Sequence, residues 1–530
     1  MPANMMNPRF QLRTLALVAL LGHGSWGLAQ TPTPVAPSEP TMDIESYVID
    51  GDNPLSAEET RATLQPFVGK NRALRDIEAA SAAMETHMRR RGYAFHRMFI
   101  PVQKPVGGEI RLQVIGIKLG NVEVTGNEKF TTDNIRRSLT SLKEGEVPEV
   151  QTLGRDVSAS NTNPAKQVSV TFKESAEPGK VDAVVRVKDS PTLVFFAGLT
   201  GNQSLSDKGP ANNTYRLTGG VQHSNLFDRD HVATVSYTTD PGNPSNVSLF
   251  GAFYQVPLYG TGMNLSASYT NSDVSSGQVA QGLNVFDVSG SGRFTSLRLT
   301  RALPRVDALQ QTLGIGLDDR LFKYNTTLNG VKIDPDVGSR VVALQYFFRN
   351  EPSWGDLAGS LEYAVNVGGG GGNSVVNHGI HNGTKSWNAL RFGLEAGVSH
   401  AGWQYSGKLK GQHSAKALIS GEQFGLGGPN SVRGFGDRVV SGDYGYQWNL
   451  EATGPGLGNQ QIRPVVFLEG GQVYARATGL DESLMGAGVG LRWNNQSLQV
   501  ALDVATGLDL QRGASADRPV RMHLAMSYRF

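Results

Sequence analysis

The sequence predicts a β-dominated membrane protein, with two small α+β units followed by a transmembrane β-barrel of about sixteen antiparallel strands. Three observations carry this. From residue 192 to the end, apolar and polar residues alternate with a period of two between Gly/Asn/Asp turns, with no long helical run. Only 39% of the residues are hydrophobic while 64 are glycine, which suits a barrel whose lumen face is polar and whose alternate residues alone meet lipid. No segment reaches the ~20 consecutive apolar residues that a membrane-spanning helix needs.

Residues 1–29 read as a secretory signal peptide. Arg9 and Arg13 precede the apolar run Leu15 to Leu21, and the small residues Gly27 and Ala29 stand where a signal peptidase reads. That apolar core is too short to span a membrane and stay. The proline-rich run Gln30 to Pro40 follows, so 30–42 is expected to be an extended linker.

The first α+β unit is expected over 43–116. A short strand begins at Ser46, and Ser56 with Glu59 three residues on makes a capping box for a helix through Leu64. Ala73 to Arg91 reads as a second helix because Leu74, Ile77, Ala80, Ala83, Met84 and Met88 recur at helical spacing; Gly92 ends it. Arg89, Arg90 and Arg91 complement the helix dipole. Strands over 94–101 and 109–115 complete the unit. Residues 117–190 repeat the order, with a strand and turn over 121–127, and Thr131 capping a helix over 132–141. A helix near 150–159 and strands at 167–172 and 180–187 follow. The β-α-α-β-β order of both units resembles that of a POTRA domain.

Residues 191–530 are expected to form the barrel. Its strands read near 193–202, 214–224, 231–240, 246–257, 262–272, 285–301, 310–322 and 338–350. The second half reads near 357–367, 386–400, 403–413, 443–453, 462–475, 484–494, 496–506 and 520–530. Closing an even number of strands removes the edges that lipid could not satisfy. Tight turns at 228–230, 258–261 and 400–402 are expected at the periplasmic end. The longer joins, 367–385 and the loop around Arg433, are expected outside. In the last strand Val520, Met522, Leu524, Met526, Tyr528 and Phe530 make one apolar face, and Arg521, His523, Ala525, Ser527 and Arg529 the other.

Between the strands at 403–413 and 443–453 lies Phe424-Gly-Leu-Gly-Gly-Pro-Asn-Ser-Val-Arg-Gly-Phe435, too rich in glycine and proline for a helix or a long strand. Its tetrapeptide Val432-Arg433-Gly434-Phe435 resembles the sixth extracellular loop of outer-membrane barrels that carry POTRA domains. Within that superfamily the chain is similar to the TpsB family, the transporters of two-partner secretion that export haemolysins and filamentous haemagglutinins. The resemblance implies that loop 414–442 folds inward. It also implies that Arg433 pairs with an acidic residue of a Phe-x-Asp-x-Gly motif on the inner wall. Here that motif reads Phe467-Leu-Glu-Gly-Gly471, with Glu469 where the family usually has Asp. If Val466 and Leu468 face lipid, alternation turns Phe467, Glu469 and Gly471 inward. The terminal aromatic Phe530, with Tyr528, looks like the signal read by the barrel-assembly machinery. The plug helix that better-known members carry ahead of the linker is expected to be missing, because 30–42 leaves little room for it.

Several chemistries are declined. With no cysteine there is no disulfide framework, thiol nucleophile or thiolate metal site. A net charge of +2 is too balanced for a phosphate-tracking surface, so nucleic acid is not an expected partner. His378 and His381 lack a third ligand and read as a mobile surface loop. Gly368 to Gly372 lacks the Lys-Ser/Thr of a phosphate cradle and reads as flexible. Gly290-Ser-Gly-Arg does not complete a nucleophile elbow. No enzyme and no cofactor is expected. The resemblance implies a transporter that moves a large, unfolded exoprotein from the periplasm to the cell surface or medium. The two POTRA-like units would bind this cargo by adding an extended segment to a sheet edge, with helix 73–91 and strands in 94–115 or 167–187 as candidates. The alternatives are a BamA/TamA-like assembly factor, which usually carries more such units, and a passive porin, which would not need residues 43–190.

Overall fold

The computed structural model describes residues 39–530 apart from short segments at 206–212, 246, 274–275, 282–283, 325–326, 329–330, 459–460, 496 and 509–519. The expected signal peptide, most of the linker and the place of a plug helix lie outside the described residues.

The first unit runs β1 (Thr41–Ile44), β2 (Ser46–Gly51), α1 (Ala57–Leu64), β3 (Gly69–Ala73), α2 (Leu74–Arg90), β4 (His96–Phe99) and β5 (Glu109–Gly116). Its main sheet has the order β2-β5-β4, with β2 parallel and β4 antiparallel to β5. Strand β1 lies partly inside the range expected to be linker, where it pairs with β3. The Ser56 hydroxyl accepts from the Glu59 N–H at 3.2 Å and the Ser56 N–H donates back to Glu59 at 3.1 Å, fixing the start of α1. On α2, Ile77, Ala80, Met84 and Met88 form a buried stripe against Ile110, Leu112 and Val114. Each of the larger side chains so buried contributes about 1.5–3 kcal/mol. Leu74, expected on that stripe, stands in the first turn and is 60% exposed.

The second unit runs β6 (Lys118–Thr125), α3 (Thr132–Ser138), α4 (Val150–Ser160), β7 (Lys166–Glu174) and β8 (Lys180–Asp189), with sheet order β6-β8-β7. Ile135 and Leu139 pack on Val122, Val168, Ala183, Val185 and Val187. Helix α3 is shorter than its periodicity suggests. After Ser138 the chain leaves the helix at Leu139, and Asp156 of α4 accepts the Ser141 N–H at 2.7 Å.

The barrel opens with β9 (Leu193–Ser204), β10 (Thr214–Leu226), β11 (His231–Thr239), β12 (Ser248–Leu258) and β13 (Met263–Ser272). A separate hairpin of β14 (Ser276–Gln281) and β15 (Asn284–Ser289) intervenes before β16 (Gly292–Ala302), so the strand expected over 285–301 is two elements, divided at the positive-φ Gly290. Next come β17 (Gln310–Phe322), the short pair β18 (Thr327–Leu328) and β19 (Val331–Lys332), β20 (Val337–Asn350) and β21 (Asp356–Val367). After the short helix α5 (Val375–Ile380) follow β22 (Asn388–His400), β23 (Trp403–His413), the loop pair β24 (Phe424–Leu426) and β25 (Val440–Gly442), and β26 (Tyr444–Thr453). The chain ends in β27 (Ile462–Ala475), β28 (Leu480–Asn494), β29 (Leu498–Gly507) and β30 (Val520–Arg529). Sixteen of these strands, β9–β13, β16, β17, β20–β23 and β26–β30, close into an antiparallel barrel through β30 and β9.

Alternation sets the two faces. On β17, Leu313, Ile315 and Leu317 point outward for lipid while Asp318 and Arg320 point into the lumen. The loop 367–385, expected to be mobile, is packed instead. The His378 ring is fully buried with Nε2 2.9 Å from the Gly338 carbonyl, and His381 stacks on Tyr324 at 3.6 Å. The turns at 227–230 and 259–262 meet the second α+β unit: Thr131 donates to Asp228 at 2.5 Å, and Thr140 packs near Gly260.

Candidate functional site: the loop inside the barrel

The join between β23 and β26 runs back into the lumen as the paired strands β24 and β25, capped by Val432, Arg433, Gly434 and Phe435. Its base is tied by Asp443, a fully buried carboxylate that accepts the Leu418 N–H at 2.7 Å and the Arg476 N–H at 2.6 Å. Val432 packs with Leu426 and Val473, so an apolar plug fixes the tip before any charge is considered.

Arg433 is 5% exposed. Its Nε and Nη2 donate to Glu469 Oε1 at 2.9 and 2.6 Å, and its backbone N–H donates to Oε2 at 2.7 Å. Nη1 reaches Asp503 Oδ2 at 2.8 Å and Nη2 reaches Glu451 Oε2 at 3.1 Å. Its Cζ lies 3.3 Å from the centroid of the Phe467 ring. Fork geometry and a stacked ring face are what a planar guanidinium accepts and an ammonium does not. Arg492 shares the carboxylates, reaching Asp503 at 2.5 Å and Glu451 at 3.5 Å. Two guanidiniums therefore stand among three carboxylates, and Asn449 also donates to Glu469.

The backbone is as specific as the charges. Gly434 has φ +95°, and a Cβ there would stand 2.7 Å from the Gly507 nitrogen, so only glycine fits. Its N–H donates to His523 Nε2 at 3.2 Å. The Arg433 carbonyl lies 2.2 Å from where a Cβ on Gly486 would be, and Phe435 covers Gly507. Gly471 of the wall motif lies under Leu426.

The structure thus brings Val432, Arg433, Gly434, Phe435, Phe467, Glu469 and Gly471 to one place on the inner wall. Tyr528 and Phe530 are elsewhere, at the end of β30. Phe530 is 70% exposed, its ring edge-on to Tyr528, and its N–H still donates to the Phe195 carbonyl across the closure. Sequence reasoning missed Glu451, Arg492, Asp503 and His523. Each is one polar residue among many on an alternating strand, and inward parity was the only signal available for them.

It also missed a second anchor of opposite sign. Glu422, buried in the rising arm of the loop, accepts from Arg320 at 2.7 Å and Arg391 at 3.2 Å on β17 and β22. These arginines are held in turn by Asp318 at 2.5 Å and Glu362 at 2.8 Å. The loop therefore crosses the lumen, pinned by a carboxylate to one wall and by a guanidinium to the other. A cavity of about 1220 Å³ lined by both networks is the space left beside it.

Residues 185–493 match the family model of haemolysin secretion/activation proteins ShlB/FhaC/HecB, and residues 42–116 match the ShlB-type POTRA domain. The chain belongs to the ShlB/FhaC/HecB family. It is an outer-membrane transporter of two-partner secretion and not an enzyme, and the family exports partner exoproteins. An outer membrane transporter CdiB of Dickeya dadantii (strain 3937) is 24% identical over 443 residues, covering 78% of this chain and 74% of its own. One of Escherichia coli is 22% identical over 492 residues, covering 88% and 79%. Solved CdiB structures from Escherichia coli and Acinetobacter baumannii share the fold. Their TM-scores are 0.76 and 0.72 at 18% and 16% identity; both cover 94% of this chain, and 93% and 91% of their own.

The edges of the POTRA-like sheets differ within this ShlB/FhaC/HecB chain. On β6, Leu119 exchanges backbone hydrogen bonds with Gly145 and Glu146, and the Val122 carbonyl accepts from Arg136 at 2.6 Å. On β7, the Asn161 carboxamide clips both backbone groups of Val168, at 2.6 and 3.0 Å. Alternation then turns the N–H and C=O of Val170 and Phe172 to the same open side, where no hydrogen bond reaches them among the described residues. Their side chains lie against the core.

Proposed function

We propose that this transporter takes up its exoprotein as an extended segment added to the open edge of β7, and passes it through the lumen when the inward loop yields. The observation that carries this reading is the open backbone of Val170 and Phe172 beside a clipped neighbour, on the unit that sits against the barrel. Strand addition suits an unfolded client, since backbone groups supply the affinity and do not depend on a folded surface. The charged lumen suits a polypeptide in transit better than a lipid, and the loop networks supply a closure whose charged groups water can take over on release.

The test is proline at Val170 and, separately, at Phe172. Proline removes an outward N–H and is tolerated on an edge strand. Secretion is expected to fall with barrel levels unchanged, and a cysteine at Thr171 should cross-link to an arrested cargo. Normal secretion by both proline variants would overturn the strand-addition reading.

A further inference from the structure

At the periplasmic end the second unit and the barrel meet through charges that no solvent reaches. Lys166, the first residue of β7, is fully buried at its ammonium; Nζ donates to Asp230 Oδ2 at 2.6 Å and Asn134 Oδ1 at 3.0 Å, and stands 5.0 Å from the centroid of the Phe130 ring. Asp230 belongs to the turn between β10 and β11. Its Oδ1 accepts from Asn163 at 3.3 Å and its Oδ2 also accepts from the Tyr259 hydroxyl of the next turn. Asn163 donates further to the Ser224 carbonyl at 2.6 Å.

Two features say that this junction specifies an angle as well as adhesion. A buried ion pair gains little over an apolar pair of equal volume, because desolvation offsets the attraction; what it adds is direction. The Lys166 side chain is 0% exposed, and burial pulls its ammonium below the ordinary lysine range even beside a carboxylate. The turn that receives it is also strained: Phe227, Asp228 and Asp230 all have positive φ, at 59°, 52° and 61°. Such backbone persists where surrounding contacts over-determine it, and here Asn134 and Thr131 of the second unit supply them at Asp228.

We propose that Lys166 is a positioning residue for export: with Asp230 and Tyr259 it keys the second unit to one orientation, holding the β7 edge over the barrel mouth while cargo passes. This rests on the strand-addition reading only for its consequence; the fixed orientation itself is measured without cargo. The chain has no cysteine, so labels and cross-links can be placed cleanly.

In full-length protein in lipid nanodiscs, spin labels at Glu177→Cys and Arg305→Cys should give a narrow distance distribution that broadens in Lys166→Met. Secretion by Lys166→Met should fall about tenfold or more. The double variant Lys166→Met/Asp230→Leu, which removes the stranded charge, should assemble at the parental barrel yield and still lack the narrow distribution. A disulfide from Thr140→Cys to Gly260→Cys, whose Cβ positions are 3.9 Å apart, lies within the roughly 3.5–4.5 Å such a bond needs; the φ of +79° at Gly260 strains a side chain there by about 1–2 kcal/mol, so the reduced double-cysteine protein is the reference. The disulfide should restore secretion to Lys166→Met, be reversed by reductant, and leave the parent protein active. A narrow distribution in Lys166→Met, wild-type secretion by the double variant, or arrest of the parent by the disulfide would each overturn the proposal. Loss of secretion in the β7 proline variants alone leaves these distances unmoved, so the two readings fail separately.

Discussion

Removing Arg433 tests the loop most directly, and the structure sets the size of the effect. In Arg433→Ala, Asp503 and Glu451 keep Arg492 at 2.5 and 3.5 Å, whereas Glu469 loses both of its guanidinium bonds and keeps only Asn449 and the backbone N–H. The damage is therefore one stranded buried carboxylate rather than three. Breaking a buried pair in this way costs about 3–5 kcal/mol, which shifts the docked-to-released ratio of the loop by roughly two to three and a half orders of magnitude. A shift of that size should raise single-channel conductance in planar bilayers and sharply reduce secretion at normal barrel levels. Glu469→Ala should be milder, because Arg433 keeps Asp503 at 2.8 Å and Glu451 at 3.1 Å.

Glu469→Asp separates family resemblance from local geometry. The motif that the wall sequence resembles has Asp at this position, and on that ground the change looks mild. Here the Arg433 carbonyl already presses on Gly486, so the loop has no room to approach a carboxylate set back by one C–C bond of about 1.5 Å. The hydrogen bonds at 2.6–2.9 Å would lengthen past bonding range while the charge remained, giving an intermediate defect. Full secretion and unchanged conductance in Arg433→Ala would refute the reasoning altogether.

Glu422→Ala should be milder than Arg433→Ala, about 1–3 kcal/mol, because Arg320 and Arg391 keep Asp318 and Glu362; higher conductance with most secretion retained is expected. In the first unit, burial holds the His96 imidazole below its ordinary value. The unfolded chain takes up the proton first, so stability is full above about pH 6.5 and falls as pH drops toward the depressed native value. The urea midpoint for proteolysis of this unit should therefore be lower at pH 5 than at pH 7.5, with the difference reduced in His96→Phe.

What could be read from the sequence was local. The capping box at Ser56 and Glu59, the stripe through Met84 and Met88, and the alternation of sixteen strands each repeat within a few residues. Pairings between distant segments could not be read. Strand β1 meets β3 across 24 intervening residues, and one buried side chain in β3 leaves no periodic mark. Strand β15 of the hairpin before β16 was fused with it because alternation continues across Gly290, and β14 was not anticipated. Arg433 and Glu469 were legible because a motif marks both. Glu451 and Asp503 join them through register alone, Glu451 standing opposite Phe467 and Asp503 opposite Gly490, and no single strand reveals that.

The same loop that narrows the lumen also bridges the seam where the barrel closes. Strands β30 and β9 pair without interruption from Arg521↔Ser204 to Arg529↔Phe196. From inside, Gly434 donates to His523 on β30, while Asp437 accepts from Asn202 on β9 at 3.0 Å and lies 3.7 Å from Arg216 on β10. Arg521 itself donates across the seam to Asn202 at 2.9 Å. Parting these strands would expose a ladder of backbone groups to lipid, each costing several kcal/mol, and would break the loop contacts as well. Displacing the loop alone breaks buried ionic contacts, but their charged groups are then rehydrated in the lumen, and the ladder stays whole. The easier motion opens the lumen along its axis, as export requires, and not the wall, as insertion of other barrels into the membrane would. A disulfide between Thr200→Cys and Ala525→Cys, which face each other across the seam, should therefore leave secretion intact under oxidising conditions. Arrest of secretion by that cross-link, relieved by reductant, would show that the wall opens after all.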